Sequence, residues 1–492
     1  MNFFSTTGAV ILLLGTAILT FLLSFITAKK VKVSNAESFF VGNRGMKWGL
    51  VASSITATEL WAGTILASAE GSYTYGLAGI LAYWIPTVFA YITFAFIAKR
   101  IREIIPNGLT LGSFVKQRFG RGAHVIYTLI ALWIMILFTM LEELGGATFF
   151  SEMFHIDYMV ACIAIGIIFL VIYLAAGIWS ATITSFVQYF LVVLFLLALV
   201  PTVFVKLGGA SNIYHMAAAN LTSAPDMLNI FRPDAFFDYF LVQFFSFGAI
   251  ATLSNYAWQR AYAVEKKDVG KAMAWGGIGW APLAMVSGLM GFVGLALGIQ
   301  TENTTSIFPI VLNQMLPIGF SIAFAVMILF AIYSTGTAYL GGMSSLIVSD
   351  LYETYTKRKI SEKKSLLLVR ILAVAITIGV TIAVVYLKNV SLLTAQLTAG
   401  AFVGAPFFPI VLGLFWKKTS SSAVVISVIV SITMASTFLL TGVLPQWLSY
   451  MLCIVVSLVL TVVISLIAPN NYNFNKMENE EISRQENVAV EA

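Results

Sequence analysis

Residues 331–352, AIYSTGTAYLGGMSSLIVSDLY, set a polar stretch inside a long apolar run. Hydroxyls of Ser334, Thr335, Thr337, Ser344, Ser345 and Ser349 fall there, beside Gly336, Gly341 and Gly342. Hydrocarbon supplies no water for such groups, so they bond within the protein or line something wet. Two readings are open at this point. Small residues let helices pack closely. Hydroxyls and freed carbonyls at a broken helix also make a site for Na⁺, a hard cation that takes oxygen ligands.

Composition settles the class. The 492 residues are 59% hydrophobic and 10% charged, with a mean hydropathy of +0.92, whereas soluble domains carry about 25% charged residues. An all-α polytopic membrane protein is expected. Thirteen apolar spans can be placed, at roughly 8–28, 48–73, 76–99, 123–149, 159–178, 182–206, 237–259, 272–299, 317–349, 366–387, 391–416, 421–441 and 446–468. Met1–Thr7 carries no basic residue, so the first run does not read as a secretory signal. Cys162 and Cys453 both lie in apolar runs and indicate neither a disulfide framework nor zinc. His124, His155 and His215 share no ligand spacing.

With the N-terminus outside and the spans alternating, the inner side receives all 28 Lys and Arg except Lys206, Arg232 and Lys388. That bias marks the cytoplasmic face. It puts the C-terminus in the cytoplasm, fits a plasma or inner membrane, and makes the basic loops anchors rather than nucleic-acid contacts. The outer loops are longest at 207–236 and 300–316, both polar, and the acid-rich tail 469–492 is expected to be solvated and disordered.

Polar groups then appear at membrane depth. Glu59 lies about eleven residues into the second span, roughly 16 Å at 1.5 Å per residue, where a carboxylate faces a cavity or a partner. Thr56, Thr58, Gly63 and Thr64 surround it, the composition of a helix that opens locally. Glu142 and Glu143, placed near the outer end of the fourth span, are expected to snorkel toward water. Gln243, Ser246 and Gly248 enter the seventh span; Gln396 and Thr398 precede Gly400, Gly404, Pro406 and Pro409 in the eleventh. Tyr83, Trp84, Trp275 and Trp280 can stack on a solute, but belt or packing roles suit any single aromatic better. Spans two to six (48–206) and seven to eleven (237–416) form two groups of five, and an odd number turns the second group upside down. That is the arithmetic of an inverted-repeat transporter, with the first span (1–47) and two C-terminal helices (417–468) added.

Several stretches, taken together over nearly the whole chain, resemble the sodium:solute symporter family. AESFFVGNR at 36–44 is similar to its Phe-Phe-x-x-Gly-Arg entry, and YLAAGIWSATITSFVQ at 173–188 to its Gly-Gly-x-x-x-Val-x-x-Thr-Asp-x-x-Gln signature. Trp258-Gln259-Arg260 with Ala263 resembles its Gln-Arg-x-x-Ala loop. Ser334-Thr335, Ser344-Ser345 and Asp350-Leu351-Tyr352 follow its ninth-span motif, and GLFWKKT at 413–419 its helix-end Trp-Lys-Lys motif.

The resemblance implies a leucine-transporter-like core of ten helices with three extra, and Na⁺-driven uptake of a small solute by alternating access. The implied Na⁺ ligands are Ala331, Ser334 and Thr335 in the ninth span, with Ala57 and Leu60 in the second when Gly76-Leu77-Ala78 is kept in register. A one-residue slip would give Thr56 and Glu59 instead. The first register is preferred, since it puts Glu59 where the proline-transporting branch carries an essential acid. Thr64 and Gln396 fall where sugar-transporting relatives contact substrate, and Tyr83 joins them as an aromatic candidate. Thr184-Ser185 replaces the Thr-Asp pair of members with a second Na⁺ site, and Ala338 replaces a hydroxyl, so one Na⁺ per solute is expected. Glu59 leans toward an amino acid; Gln396 and the Trp-Lys-Lys ending lean toward a sugar or organic acid. The competing classes are a membrane sensor, which the short tail disfavours; a channel or uncoupled carrier; and an enzyme, for which no His, Ser or Cys constellation is visible.

Overall fold

The computed structural model describes residues 6–31, 41–108, 110–175, 178–353, 362–388 and 390–474. The fold is all-α. Among the described residues ten helices are long and apolar enough to cross a membrane, and the pair Trp48–Glu59 and Ala62–Tyr75, bent by 55°, makes a further, broken span. Shorter apolar helices at Ile11–Leu22 and Tyr158–Leu174 complete the expected thirteen.

The outermost helices wear their apolar side chains outward. Leu367, Ile371, Ile378 and Ile382 are exposed along Glu362–Val385, and Val455, Val459 and Val463 along Gln446–Ile467. The hidden face of Gln446–Ile467 is hydroxylic: Ser457, Thr461 and Ser465 are buried, and the Thr461 hydroxyl donates to Ser427 Oγ at 2.9 Å. Lipid is as apolar as leucine, so small and hydroxyl-bearing faces are the ones that gain by meeting.

The first span of each five-span group is broken. In the second span the helix stops at Glu59, Leu60 leaves helical geometry (φ −88°, ψ 64°), and Trp61 is extended before Ala62–Tyr75 begins. No proline is involved. The Trp61 indole folds back over Gly63, where a Cβ would lie 2.2 Å from the ring, and meets Phe138 edge-on at 5.4 Å. The seventh span passes from a π-turn, Ala235–Leu241, through Val242–Phe247 and Ile250–Leu253, and breaks again at the extended Ser254 before Asn255–Ala263. The eleventh span opens between Leu392–Leu397 and Gly400–Phe415. There the Leu397 carbonyl accepts from Ser246 Oγ, Gln446 Nε2 and Tyr450 OH. The ninth span is an unbroken helix, Ile318–Ser345, running into a π-turn, Leu346–Glu353.

Two expectations change. The outer loop 300–316 is not simply polar, since Ile307–Met315 is a helix with Ile307, Phe308, Val311 and Leu312 buried. The tail does not leave the protein at Pro469. Tyr472 donates its N–H to the Lys417 carbonyl at 3.0 Å and its hydroxyl to the Gln117 carbonyl, and its ring lies 4.5 Å from the Arg118 guanidinium. Residues 475–492, the Ala36–Phe40 part of the entry motif and the basic loop 354–361 lie outside the described residues.

Candidate functional site

A broken helix leaves carbonyls without their usual partners, and each has to be traced. At the second-span break the Thr56 carbonyl accepts from Leu60 N–H at 3.1 Å. The Thr58 carbonyl takes the Thr335 hydroxyl at 2.8 Å. The Glu59 carbonyl takes two donors, Thr64 Oγ1 at 2.5 Å and the Trp280 indole N–H at 2.7 Å. The carbonyls of Ala57 and Leu60 receive no hydrogen bond among the described residues. Of the two registers considered from sequence, Thr56 and Glu59 are therefore occupied, while Ala57 and Leu60 are free.

The ninth span supplies the facing side. Ala331, Ser334 and Thr335 are all buried. Thr335 reaches the second span, and Ser334 Oγ lies 2.7 Å from Ser185 Oγ of the sixth. Ser185 thus sits against the candidate ligand set, at the position where the family's Thr-Asp pair would place its acid. Thr337 turns back onto its own helix, donating to the Tyr333 and Ser334 carbonyls, and Ser344 does the same onto Leu340. The stretch 331–352 is thus divided: Ser334 and Thr335 face other spans, while Thr337 and Ser344 satisfy themselves locally.

Beyond the break lies a second polar group. Thr64, Tyr83 and Gln396, expected from sequence, are brought together with Gln243, which was noted but not placed in the site. The Tyr83 hydroxyl reaches Gln396 Oε1 at 3.4 Å, and Gln396 Nε2 reaches Gln243 Oε1 at 3.5 Å. Trp280 stands beside them, its ring 5.9 Å from that of Tyr83. Trp280 is fully buried, whereas Trp275 is exposed.

Glu59 is buried as expected, but two phenols engage its carboxylate: Tyr91 at 2.6 Å and Tyr256 in a short bond. Arg260 anchors the neighbouring surface, donating to Ser54 Oγ at 3.1 Å, Thr58 Oγ1 at 2.9 Å and the Tyr256 carbonyl. Together they tie the helix Trp48–Glu59 to the third and seventh spans.

Glu142 and Glu143 do not snorkel. Both are fully buried. The fourth-span helix runs on to Phe154, which leaves Glu142 about 18 Å from its end at 1.5 Å per residue. Glu142 Oε2 accepts the Ala62 N–H at 2.9 Å, so this carboxyl caps the outer half of the broken span, where a helix N-terminus favours an acceptor or an anion. Farther out, Glu70 accepts from Thr304, Thr305 and Ser391 hydroxyls and from Leu393 N–H, joining that half to the outer loop and the eleventh span.

Residues 39–431 match the model of the sodium:solute symporter family. The chain is 27% identical over 417 residues to the urea-proton symporter DUR3 of Oryza sativa subsp. japonica, covering 78% of this chain and 58% of that protein. It is likewise 27% identical over 416 residues to the high-affinity proline transporter PutP of Bacillus subtilis, covering 79% and 83%. The chain spans 58 to 63% of the length of the urea transporters it matches. Among solved structures, a Na⁺-coupled sialic acid symporter in a substrate-bound, outward-open state superposes with a TM-score of 0.78 at 18% identity, over 94% of this chain and 98% of that one. Mhp1, a nucleobase-cation-symport-1 family transporter, gives a TM-score of 0.59 at 13% identity, over 90% and 98%. At those identities the likeness is one of fold.

Proposed function

We propose that this chain, which belongs to the sodium:solute symporter family, couples the entry of a small organic solute to the entry of one Na⁺. That the chain is a multi-pass membrane transporter rather than an enzyme follows from the family and its relatives. Na⁺ as the coupling ion, its site and the solute's site are our reading. The observation that carries it is the pair of carbonyls, Ala57 and Leu60, that accept no hydrogen bond among the described residues, near Thr58, whose own carbonyl is held by Thr335. Two second-span carbonyls, the Ala331 carbonyl and the Ser334 and Thr335 hydroxyls make an all-oxygen, uncharged donor set, which suits a hard monovalent cation. A hydroxyl that donates to Thr58 keeps its lone pairs for an ion, so the bond and the ligation are compatible.

Ser185 and Ala338 support a stoichiometry of one, because neither supplies the anionic oxygen of a second site. Thr64, Tyr83, Gln243, Gln396 and Trp280 would hold the solute. Glu59, engaged by Tyr91 and Tyr256, would serve to hold the inner half-helix rather than to bind a solute amine. Na⁺ would favour the state in which the second and ninth spans close on it, and it couples only through its differing affinity for the two states. The Lys and Arg distribution supports a plasma or inner membrane with the N-terminus outside.

The test is solute accumulation in proteoliposomes under an inward Na⁺ gradient, using urea and proline, the solutes named for relatives, as first probes. Accumulation that is equal when K⁺ replaces Na⁺ refutes the coupling. A Hill coefficient for Na⁺ clearly above one refutes the single site.

A further inference from the structure

One buried acid has no role at the broken spans. Glu143 lies in the fourth span, about 17 Å from the end of its helix at 1.5 Å per residue. It is fully buried, and neither carboxyl oxygen completes a hydrogen bond among the described residues. Its neighbours come from the fifth and tenth spans and meet at Gly166. A Cβ on Gly166 would lie 2.4 Å from Thr381 Oγ1, 3.4 Å from Glu143 Oε1 and 3.5 Å from the Thr377 methyl. The missing side chain is what lets the carboxyl and the two threonines approach. Thr381 faces the carboxyl from the tenth span. The Thr377 hydroxyl is buried and unpartnered, and does not turn back onto its own helix as Thr337 and Ser344 do.

The carboxyl has no counter-ion. The chain holds no Lys or Arg from 122 to 205, nor from 371 to 387. The titratable groups beside it are Glu142 on its own helix, which caps Ala62, and Tyr158 and Cys162 on the fifth span. The ninth span, packed on both helices, carries Tyr333 and Tyr339 and no charge from 318 to 349, and the tenth adds only the exposed Tyr386. Glu152, His155 and Asp157 lie exposed where the fourth helix ends and the fifth begins. A bare carboxylate at this depth is costly. Two carboxyl oxygens and two hydroxyls make a smaller set than the one at the second-span break, and a proton needs no more. The neutral acid donates its O–H to Thr377 Oγ1 and accepts from Thr381 on its other oxygen, so each polar group finds a partner.

A polar seam joins this acid to solvent. Asp157 is exposed at the head of the fifth helix, accepting from the Met159 and Val160 N–H groups. Tyr158, Cys162 and Gly166 follow at four-residue spacing on one buried face. Thr377, Thr381 and Val384 line the facing side of the tenth span, where the Val384 carbonyl accepts the Tyr158 hydroxyl at 3.1 Å. Both helices turn isoleucines to the exposed side: Ile163 and Ile167, Ile378 and Ile382.

We propose that Glu143 is a proton-binding site, separate from the cation and solute sites at the break and independent of Na⁺ coupling, and that it exchanges its proton with water along the Tyr158–Cys162 seam. When the proton leaves, a buried charge replaces a neutral, hydrogen-bonded acid, and the seam admits water. The packing of the fourth, fifth and tenth spans therefore depends on pH.

Infrared difference spectra of the purified full-length protein, taken from about pH 5 to 9, test this. Wild type shows the carbonyl-stretch band of a protonated carboxyl, which declines reversibly as pH rises and is missing from Glu143→Gln. Glutamine copies the shape, donor and acceptor of the neutral acid, so this variant keeps the wild-type thermal midpoint at the acid end, and a lower midpoint there overturns the proposal. Thr377→Val keeps the acid and displaces the band; an unmoved band overturns the hydrogen bond. With Cys453→Ser in both proteins, a maleimide modifies Cys162 faster in the chain with Glu143 than in Glu143→Gln at the same alkaline pH, a comparison that cancels the thiol's own titration. Equal rates overturn the seam. Spectra of wild type and Glu143→Gln that coincide at every pH mean a permanently charged acid, and a Glu143 band undiminished at the alkaline end means a permanently neutral one; either result overturns the site.

Discussion

Thr335→Val removes one hydroxyl and keeps the side-chain shape. Thr335 is fully buried and donates to the Thr58 carbonyl at 2.8 Å. Its loss has two separable costs. The Thr58 carbonyl is left buried without a donor, which lowers stability by about 1–3 kcal/mol whether or not Na⁺ is present. The second cost falls only on the Na⁺-bound form, which loses one of its oxygens. If that ligand is worth about 1.4 kcal/mol, Na⁺ affinity falls tenfold. In wild type at a Na⁺ concentration about a hundred times its Kd, binding stabilises the fold by about 2.7 kcal/mol. At the same concentration the variant gains about 1.4 kcal/mol by the same relation. The assay is the thermal midpoint of detergent-purified protein, titrated with NaCl against KCl at constant ionic strength. The expected outcome is a lower midpoint without Na⁺ and a half-saturation point displaced about tenfold upward. A lower midpoint with an undisplaced Na⁺ titration would mean that Thr335 serves the fold alone, and it would refute the ligand assignment.

Other consequences can be checked in the same preparation. Glu142→Ala orphans the buried Ala62 N–H and lowers stability by about 1–3 kcal/mol. Glu142→Gln retains an acceptor and recovers most of that, and equal midpoints for Ala and wild type would dismiss the cap. Gly63→Ala places a Cβ 2.2 Å from the Trp61 ring and costs about 1–3 kcal/mol through displaced side chains. Adding Trp61→Ala relieves that clash, so the double variant is non-additive. At the protein surface Lys47 and Glu265 pair at 2.5 Å. Hydrogen bonds from Lys47 and then Lys267 hold the Glu265 carboxyl below its ordinary range, and the bond to Glu265 raises the Lys47 ammonium. The Glu265 contribution is present above the ordinary glutamate pKa and is lost as pH falls through its depressed value. The Lys47 contribution is present below the ordinary lysine pKa and is lost as pH rises through its raised value. The midpoint difference between wild type and Lys47→Met is therefore constant from about pH 6 to 9, and it shrinks in high salt because the pair is exposed. A difference that varies within that window would contradict the pairing.

What could be read from the sequence depended on the range of the interaction. Hydropathy alone placed the thirteen helices, because a span must be apolar over its whole length whatever it packs against. The family-like order of motifs made Ser334 and Thr335 the candidate ligands of the ninth span, with Ala57 and Leu60 preferred over Thr56 and Glu59 in the second. Depth was read less well. The fourth helix runs several residues beyond its expected end, so Glu142 looked like a rim residue when it is a buried cap for a helix 80 residues earlier in the chain. Glu59 reads from the sequence as a partner for solute, and the structure adds that Tyr91 and Tyr256 both donate to its Oε1. No local pattern pairs Gln243 with Gln396, which stand 153 residues apart.

The sequence by itself determined that the chain crosses the membrane many times and where the helices run. Only the tertiary structure decided which carbonyls of the broken second span stay vacant, which acids are already engaged, and which two glutamines meet. The reason is physical. Membrane insertion is a property of one segment and its solvent, so composition reveals it. Whether a buried polar atom is satisfied depends on a partner from another span, and no segment carries that information alone.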